Sequence, residues 1–343
     1  MNLIIVGIGW AGEAHFRAVG ALQRQGVDCR VAALVDVDAD HLARQASELG
    51  VKATFADLPS ALEACPEADA VVLCTPHHLH REAAEQAATA GRHVLVEKPM
   101  ALTLADADAM IQACDQAGTT LMVAESARYS RATLAMVDAI AAGKIGQVLS
   151  GRINPITRGR HTYAYPGRRA WLADPAVGGS GIWMLNGIHH MSVARALLGE
   201  PTRIYARQVR SDKFASPLEA TIVALLSFAG GAEATMTVSA ELHGYKRFGD
   251  TAIFGSDGTM LLRRGEPAGL EIYTDDGRET IECAEDAADE ASGAFVRQMR
   301  EFMASVAGNR ESLTGGRSER RTLRAVLGGY ESVRTGQPVD LTA

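Results

Sequence analysis

The chain has 343 residues, 47% hydrophobic and 22% charged, an ordinary globular composition and a length that favours two domains over one. A net charge of −7 without a basic run argues against a nucleic-acid or anionic-membrane partner, and no apolar stretch reaches the roughly 18–20 residues that span a bilayer. Five cysteines, with no C-x-x-C, argue against a disulfide framework or a thiolate zinc site; with no charged n-region after Met1, they read as reduced core thiols of a cytoplasmic protein.

Leu3–Val6 is a short β-branched run of the kind that forms a buried strand. Gly7, Gly9 and Gly12 follow as G-x-G-x-x-G, and a helical pattern begins at once. Gly7 permits the turn out of the strand, Gly9 lets a pyrophosphate approach the backbone, and Gly12 lets the helix lie against the strand. With Trp10 and Ala11 between them, these residues present unpaired N–H groups at the positive end of a helix dipole, a dinucleotide site. Arg30–Asp36 reads as the second strand. It ends on Asp36, where an acid would bind the adenosine ribose hydroxyls and repel a 2′-phosphate, so the cofactor is expected to be NAD rather than NADP. Asp38 is the better N-cap for the helix over 41–49.

The alternation continues. Ala70–Cys74 is a strand closed by Thr75-Pro76, with a helix from about Leu79 to Ala90. His93–Val96 is a strand, Leu104–Ala117 a helix and Thr120–Val123 a strand. Short connections between alternating strands and helices predict a doubly wound parallel sheet, with the turns at Gly7, Asp36, Thr75 and Glu97 facing one crevice. His77, His78 and His80 crowd one turn, but without an acid at ligand spacing they read as a cofactor loop and not a metal site; no metal is expected. Glu97-Lys98-Pro99 follows the fifth strand, which puts Lys98 at the crevice rim, an adaptable proton or hydrogen-bond donor. Cofactor contacts are expected from Thr75, Pro76, His77, His80, Glu97 and Lys98.

The glycine motif, Thr75-Pro76 with Leu79-His80, and Glu97-Lys98-Pro99 resemble the glucose–fructose oxidoreductase / inositol dehydrogenase / rhizopine catabolism (Gfo/Idh/MocA) family. The likeness continues through Gly143-Lys144-Ile145-Gly146 and Gly178-Gly179 to Tyr330-Glu331-Ser332-Val333-Arg334-Thr335-Gly336, covering essentially the whole chain. It implies that Lys98 binds substrate and takes part in proton transfer, and that the Lys98–Pro99 bond is often cis in such proteins.

Beyond Val123 the pattern changes, dividing the chain into a dinucleotide-binding domain over 1–123 and an α+β substrate and oligomerisation domain over 124–343. A helix from about Arg131 to Ala142 precedes strands over Gln147–Ile156, Thr202–Val209, Ala220–Phe228, Ala232–Ala240, Thr251–Phe254, Thr259–Leu262 and Leu270–Thr274. Short turns between them imply a largely antiparallel open sheet. The resemblance implies that a second subunit covers its free face, giving a homodimer or homotetramer. Helices close the chain over Phe295–Val306 and Leu323–Val333.

Gly151–Ala173 holds Arg152, Arg158, Arg160, Arg168 and Arg169 without an acid, interleaved with Tyr163, Tyr165 and Trp171. It reads either as a cover offering guanidiniums to an anionic substrate or as an arm gripping another subunit. In Gly178–Leu198, Gly187 and His189 match the resembled family, but its aspartate position is Leu185. Either His189 and Lys98 suffice, or Asn186 or His190 supplies the missing polar contact, or the chemistry differs.

The expected protein is an NAD-dependent dehydrogenase of a sugar, polyol or sugar acid, anionic or polyhydroxylated, with Lys98 and His189 catalytic. Arg128, Arg168, Arg169, Trp171, Asn186 and His190 are the further substrate contacts. The alternatives are a dehydrogenase of a cyclic dihydrodiol or hydroxylated aromatic carboxylate, a redox-neutral NAD-dependent glycosidase-like enzyme, and a non-catalytic NAD-binding sensor.

Overall fold

Apolar runs of four to six residues, separated by capped helices, form the first sheet of the computed structural model. The structure describes residues 1–156, 167–178, 181–212, 218–242, 249–263, 269–283 and 293–342. The chain divides into two units, Met1–Tyr129 with Asp286–Arg320, and Ser130–Glu285 with Arg321–Ala343.

In the first unit, strands β1 (Asn2–Val6), β2 (Arg30–Val35), β3 (Thr54–Phe55), β4 (Ala70–Leu73), β5 (His93–Glu97) and β6 (Leu121–Ala124) form a parallel sheet in the order β3-β2-β1-β4-β5-β6. Helices α1 (Trp10–Arg24), α2 (Ala39–Leu49), α3 (Leu58–Ala64), α4 (His80–Thr89) and α5 (Leu104–Ala117) connect them. Asp38, Asp57 and Thr103 cap α2, α3 and α5 through their side chains, and Gly50 and Gly118 end α2 and α5 in the left-handed region. Strand order reverses between β1 and β4, which opens a crevice at the carboxyl ends of the strands. β3 and α3 escape a reading by periodicity because both are short.

The division of the chain differs from a single cut at 123. Helix α8 (Gly293–Gly308), an element expected in the second domain, buries Phe295, Val296, Met299 and Phe302 in one cluster with Leu3 and Ile5 of β1 and Val19 and Leu22 of α1. An amphipathic stripe reveals that a face is buried but not against what. The chain passes to the second unit within helix α9 (Gly316–Thr335).

The second unit carries a nine-stranded sheet of β7 (Val148–Ile153), β8 (Pro201–Val209), β9 (Thr221–Phe228), β10 (Glu233–Ser239), β11 (Thr251–Gly255), β12 (Gly258–Arg263), β13 (Gly269–Thr274), β14 (Gly277–Glu282) and β15 (Val339–Asp340). Neighbours are antiparallel except for the parallel pair β7 and β10. β14 and β15 lie at the two edges; β14 is mostly polar and exposed and β15 is only two residues long, so neither carries an apolar signature.

Register assigns the faces. Leu226, Ala234, Gly151 and Ile253 pair across four strands and are all buried. Helix α7 (Ile188–Leu198) packs on β7, where a Cβ at Gly151 would come within 3.2 Å of Leu198. α6 (Arg131–Ala141) packs on α7. On the opposite face Leu225, Thr235, Arg152 and Ala252 are paired in turn, as are Phe254, Thr259 and Tyr273. Val223, Leu225, Phe254 and Tyr273 are exposed there. No helix among the described residues is long and apolar enough to cross a membrane.

Because Phe302 is fully buried in the first unit's cluster, Phe302→Ala should cost about 3–5 kcal/mol in urea denaturation, with hydrogen-exchange protection lost in β1 and α1.

Candidate active site

The candidate residues divide between the two units. In the first, the backbone alone explains two of the three glycines. Gly7 has φ +88°, and a Cβ there would lie 2.6 Å from the Cys74 carbonyl oxygen. A Cβ on Gly12 would lie 2.2 Å from the carbonyl oxygen of Gly7. Gly9 differs: a Cβ would meet no protein atom within 4 Å. Gly9 is also the N-cap of α1, with no side-chain cap, so the first amides of the helix (Trp10, Ala11, Gly12) head a cradle bare of side chains. That is the fit a dinucleotide pyrophosphate requires.

Asp36, buried at the end of β2, fixes the same loop. Its Oδ2 accepts from the Ile8 amide at 3.0 Å and its Oδ1 from the Asp38 amide at 3.0 Å. Asp38 caps α2 by accepting from the His41 amide.

At the end of β4, the Thr75 Oγ1 is buried without a protein partner. His80 is fully buried, its Nε2 2.9 Å from the Thr75 carbonyl and its Nδ1 3.1 Å from the Pro99 carbonyl. Burial lowers its pKa, opposed by the Thr75 and Pro99 carbonyls and the charge of Glu97. His80 therefore braces the Thr75 turn against the Lys98–Pro99 segment, whose peptide bond is cis; its ring is closed to a direct cofactor contact. His77 is buried beside it, ring centroids 5.6 Å apart.

Glu97, the last residue of β5, accepts from the Lys98 amide at 3.2 Å through Oε2. Its Oε1 lies 3.0 Å from Nε2 of His15, which is fully buried on α1. Burial pulls the Lys98 ammonium below the ordinary lysine value, opposed by the charges of Glu97 and Glu125. His15 and Glu125 are absent from the sequence reading. The signal for His15 is its position one turn after Gly12; that for Glu125 is its place just past β6, as Glu97 ends β5. Arg128, expected at the substrate, has its guanidinium 3.9 Å from the buried carboxylate of Glu319, an ion pair of the first unit's own interior.

In the second unit, Trp183–Gly187 forms a π-helical turn that runs into α7. Such turns insert a residue and are frequent at functional sites. Leu185, Asn186, His189 and His190 are half-buried on this segment. The Oδ1 of Asn186 is shielded from solvent without a protein partner. Beneath them Trp183 is fully buried, its indole N–H donating to the Val326 carbonyl at 2.9 Å. Trp171 is half-buried in a 3₁₀ turn over Gly167–Ala173. Only the backbone of Arg168 and Arg169 is described there, and Arg158, Arg160, Tyr163 and Tyr165 lie outside the described residues. Among the described residues no group of three or more His, Cys, Asp or Glu is arranged to hold a metal ion.

A parallel sheet of this order with this glycine turn defines a dinucleotide-binding Rossmann fold. Residues 1–125 match the model of the oxidoreductase family with NAD-binding Rossmann fold, and residues 133–261 match the GFO/IDH/MocA C-terminal domain. A D-apiose dehydrogenase of Paraburkholderia graminis is 31% identical over 353 residues, covering 98% of this chain and 88% of its own. An inositol 2-dehydrogenase of Rhizobium meliloti is 28% identical over 308 residues, 88% of this chain and 87% of its own. An oxidoreductase from Agrobacterium radiobacter, solved with NAD+, L-tartaric acid and magnesium, superposes with a TM-score of 0.89 at 25% identity, covering 99% and 98% of the two chains. The chain belongs to the Gfo/Idh/MocA family of NAD-binding oxidoreductases, a family of sugar and polyol dehydrogenases.

The two kinds of glycine should separate by experiment. Gly12→Ala, forced against Gly7, should lower the melting temperature by an overpacking cost of about 1–3 kcal/mol. Gly9→Ala should leave the melting temperature near wild type and weaken NAD binding measured by calorimetry.

Proposed function

We propose that this protein oxidises a secondary hydroxyl of a sugar, polyol or sugar acid, with Lys98 and His189 at the site of hydride transfer. The observation that carries the reading is Lys98, half-buried directly after β5 with its ammonium pKa lowered, in the same unit as a glycine turn built for a dinucleotide. NAD, when bound, accepts the hydride from the substrate carbon. His189 takes the hydroxyl proton as general base. Lys98 donates a hydrogen bond to the same oxygen and stabilises the charge that develops on it. In the reverse direction His189 returns the proton it holds to the forming alkoxide, while Lys98 keeps its hydrogen bond to that oxygen.

Leu185 carries no polar group, so the contact falls to Asn186, with His190 beside the base. A shielded amide oxygen calls for a donor, which a substrate hydroxyl provides and a carboxylate does not. Any carboxylate of the substrate is then left to Arg168 and Arg169, with Trp171 offering a ring face. The acid-free run around them supports an anionic substrate, and the Agrobacterium neighbour was solved with the dicarboxylate L-tartaric acid. Leu185 and Trp171 also suit a more apolar ring, the ground for the second reading, a dehydrogenase of cyclic dihydrodiols or hydroxylated aromatic carboxylates. Asp36 favours NAD over NADP. The apolar outer sheet face supports a homodimer or homotetramer.

A screen at 340 nm with NAD and NADP over aldoses including D-apiose, polyols including myo-inositol, uronic and aldonic acids, and dihydrodiols should give NADH with a sugar or sugar acid. Lys98→Met should then lower turnover by roughly 10²–10⁴-fold and spare NAD binding; full activity in that variant sinks the assignment. In alcohol oxidation, turnover should fall as pH rises through the lowered Lys98 value, where the ammonium charge facing the substrate oxygen is lost, at lower pH than an exposed lysine would set. Leu225→Glu, on the outer face, should convert the oligomer to monomer in light scattering; an unchanged mass would exclude that face.

A further inference from the structure

We infer that Glu219 and Tyr330 form a clamp that positions the segment Trp183–His189 for the substrate, an inference resting on the roles given to Asn186 and His189 above. Glu219 lies two residues before β9 and is buried. Its Oε2 accepts from the Gly181 amide at 2.9 Å. Its Oε1 accepts from the Trp183 amide at 3.0 Å and from the Tyr330 hydroxyl at 2.7 Å. That hydroxyl in turn accepts from the Met184 amide at 3.1 Å. The carbonyl of Glu219 takes the Ile182 amide at 3.3 Å. Four successive backbone amides, 181 to 184, are thus gathered by two residues from distant parts of the chain.

The surroundings leave this segment little room. A Cβ on Gly181 would lie 2.3 Å from the Glu219 carbonyl oxygen, and one on Gly329 would lie 2.7 Å from the Trp183 indole nitrogen. The usual way to satisfy the first amides of a helix is a Ser, Thr, Asp or Asn just before it. Here Ile182 holds the cap position and no side chain caps from it. A carboxylate has instead been taken out of water, a cost that its convergent donors offset. Burial raises the Glu219 pKa, while Tyr330 and the Gly181 and Trp183 amides pull it down.

What the clamp holds explains its use. The π turn that follows is a rare and wide turn, and it carries Asn186, with His189 just beyond. Leu185, one turn before His189, carries an apolar side chain where the family pattern has an aspartate. The aim of both polar side chains therefore depends on where the backbone of this turn is fixed. Glu219 and Tyr330 act through that backbone and touch no reacting atom, so they are positioning residues.

The test compares Glu219→Gln and Tyr330→Phe with His189→Asn, on whichever sugar of the screen the wild type oxidises fastest. The glutamine puts an amide N–H against a backbone N–H; the phenylalanine deletes one oxygen. Both should lower kcat for the sugar by about tenfold or more, the order expected for a displaced catalytic group. NAD affinity should stay at the wild-type value, since its residues belong to the other unit. Amides 181–187 should exchange faster while those of β9 and β10 do not. If Glu219→Gln fails to fold, Tyr330→Phe carries the test. Wild-type kcat in the folded variants, with His189→Asn inactive, overturns the clamp alone. Wild-type turnover in His189→Asn overturns the functional reading and the clamp with it.

Discussion

The close approach of α1 to the turn before it is the constraint on which the cofactor half of this protein depends. The Gly7 carbonyl sits where a Cβ of residue 12 would be, and the Cys74 carbonyl where a Cβ of residue 7 would be. Two missing methyl groups bring β1, α1 and the end of β4 together. Asp36 then ties the end of β2 to the same loop through the Ile8 amide. Asp36 and the glycine loop are thus one hydrogen-bonded piece, so neither adjusts without the other.

Both units spend buried polar groups in the same way. In the first, His80 spans the Thr75 and Pro99 carbonyls, and Glu97 joins His15 on α1 to the Lys98 backbone. In the second, Glu219 and Tyr330 collect amides leading into and opening the π turn. An unpaired buried polar group is costly, and a paired one fixes geometry. These networks therefore trade desolvation for rigid placement at the two segments where chemistry is proposed. The orphaned Thr75 Oγ1 and Asn186 Oδ1 stand apart from them. Each is a shielded polar atom without a protein partner, the condition that a ligand hydroxyl or amide would relieve.

The nine-stranded sheet solves a different problem. Its inner face is covered by α7, while its outer face mixes Val223, Leu225, Phe254 and Tyr273 with threonines and Arg152. That outer face carries exposed apolar side chains among polar ones.

By itself the sequence determined the parallel sheet, the glycine turn, the Asp38 cap, the Glu97-Lys98-Pro99 element and the run of antiparallel strands. Each is written locally, in a periodicity, a cap or a turn residue. The tertiary structure alone decided the rest. It returned α8 to the first unit, since a stripe of Phe295, Met299 and Phe302 does not name its partner. It brought Arg128 within 3.9 Å of Glu319, a residue nearly two hundred positions away, and it assembled His15 with Glu97 and Glu219 with Tyr330. A charge or a hydroxyl looks the same in sequence whether it awaits a substrate or a neighbour. Only the packing of distant segments settles which, because the free energy of a buried polar group depends on what lies within about 3 Å of it.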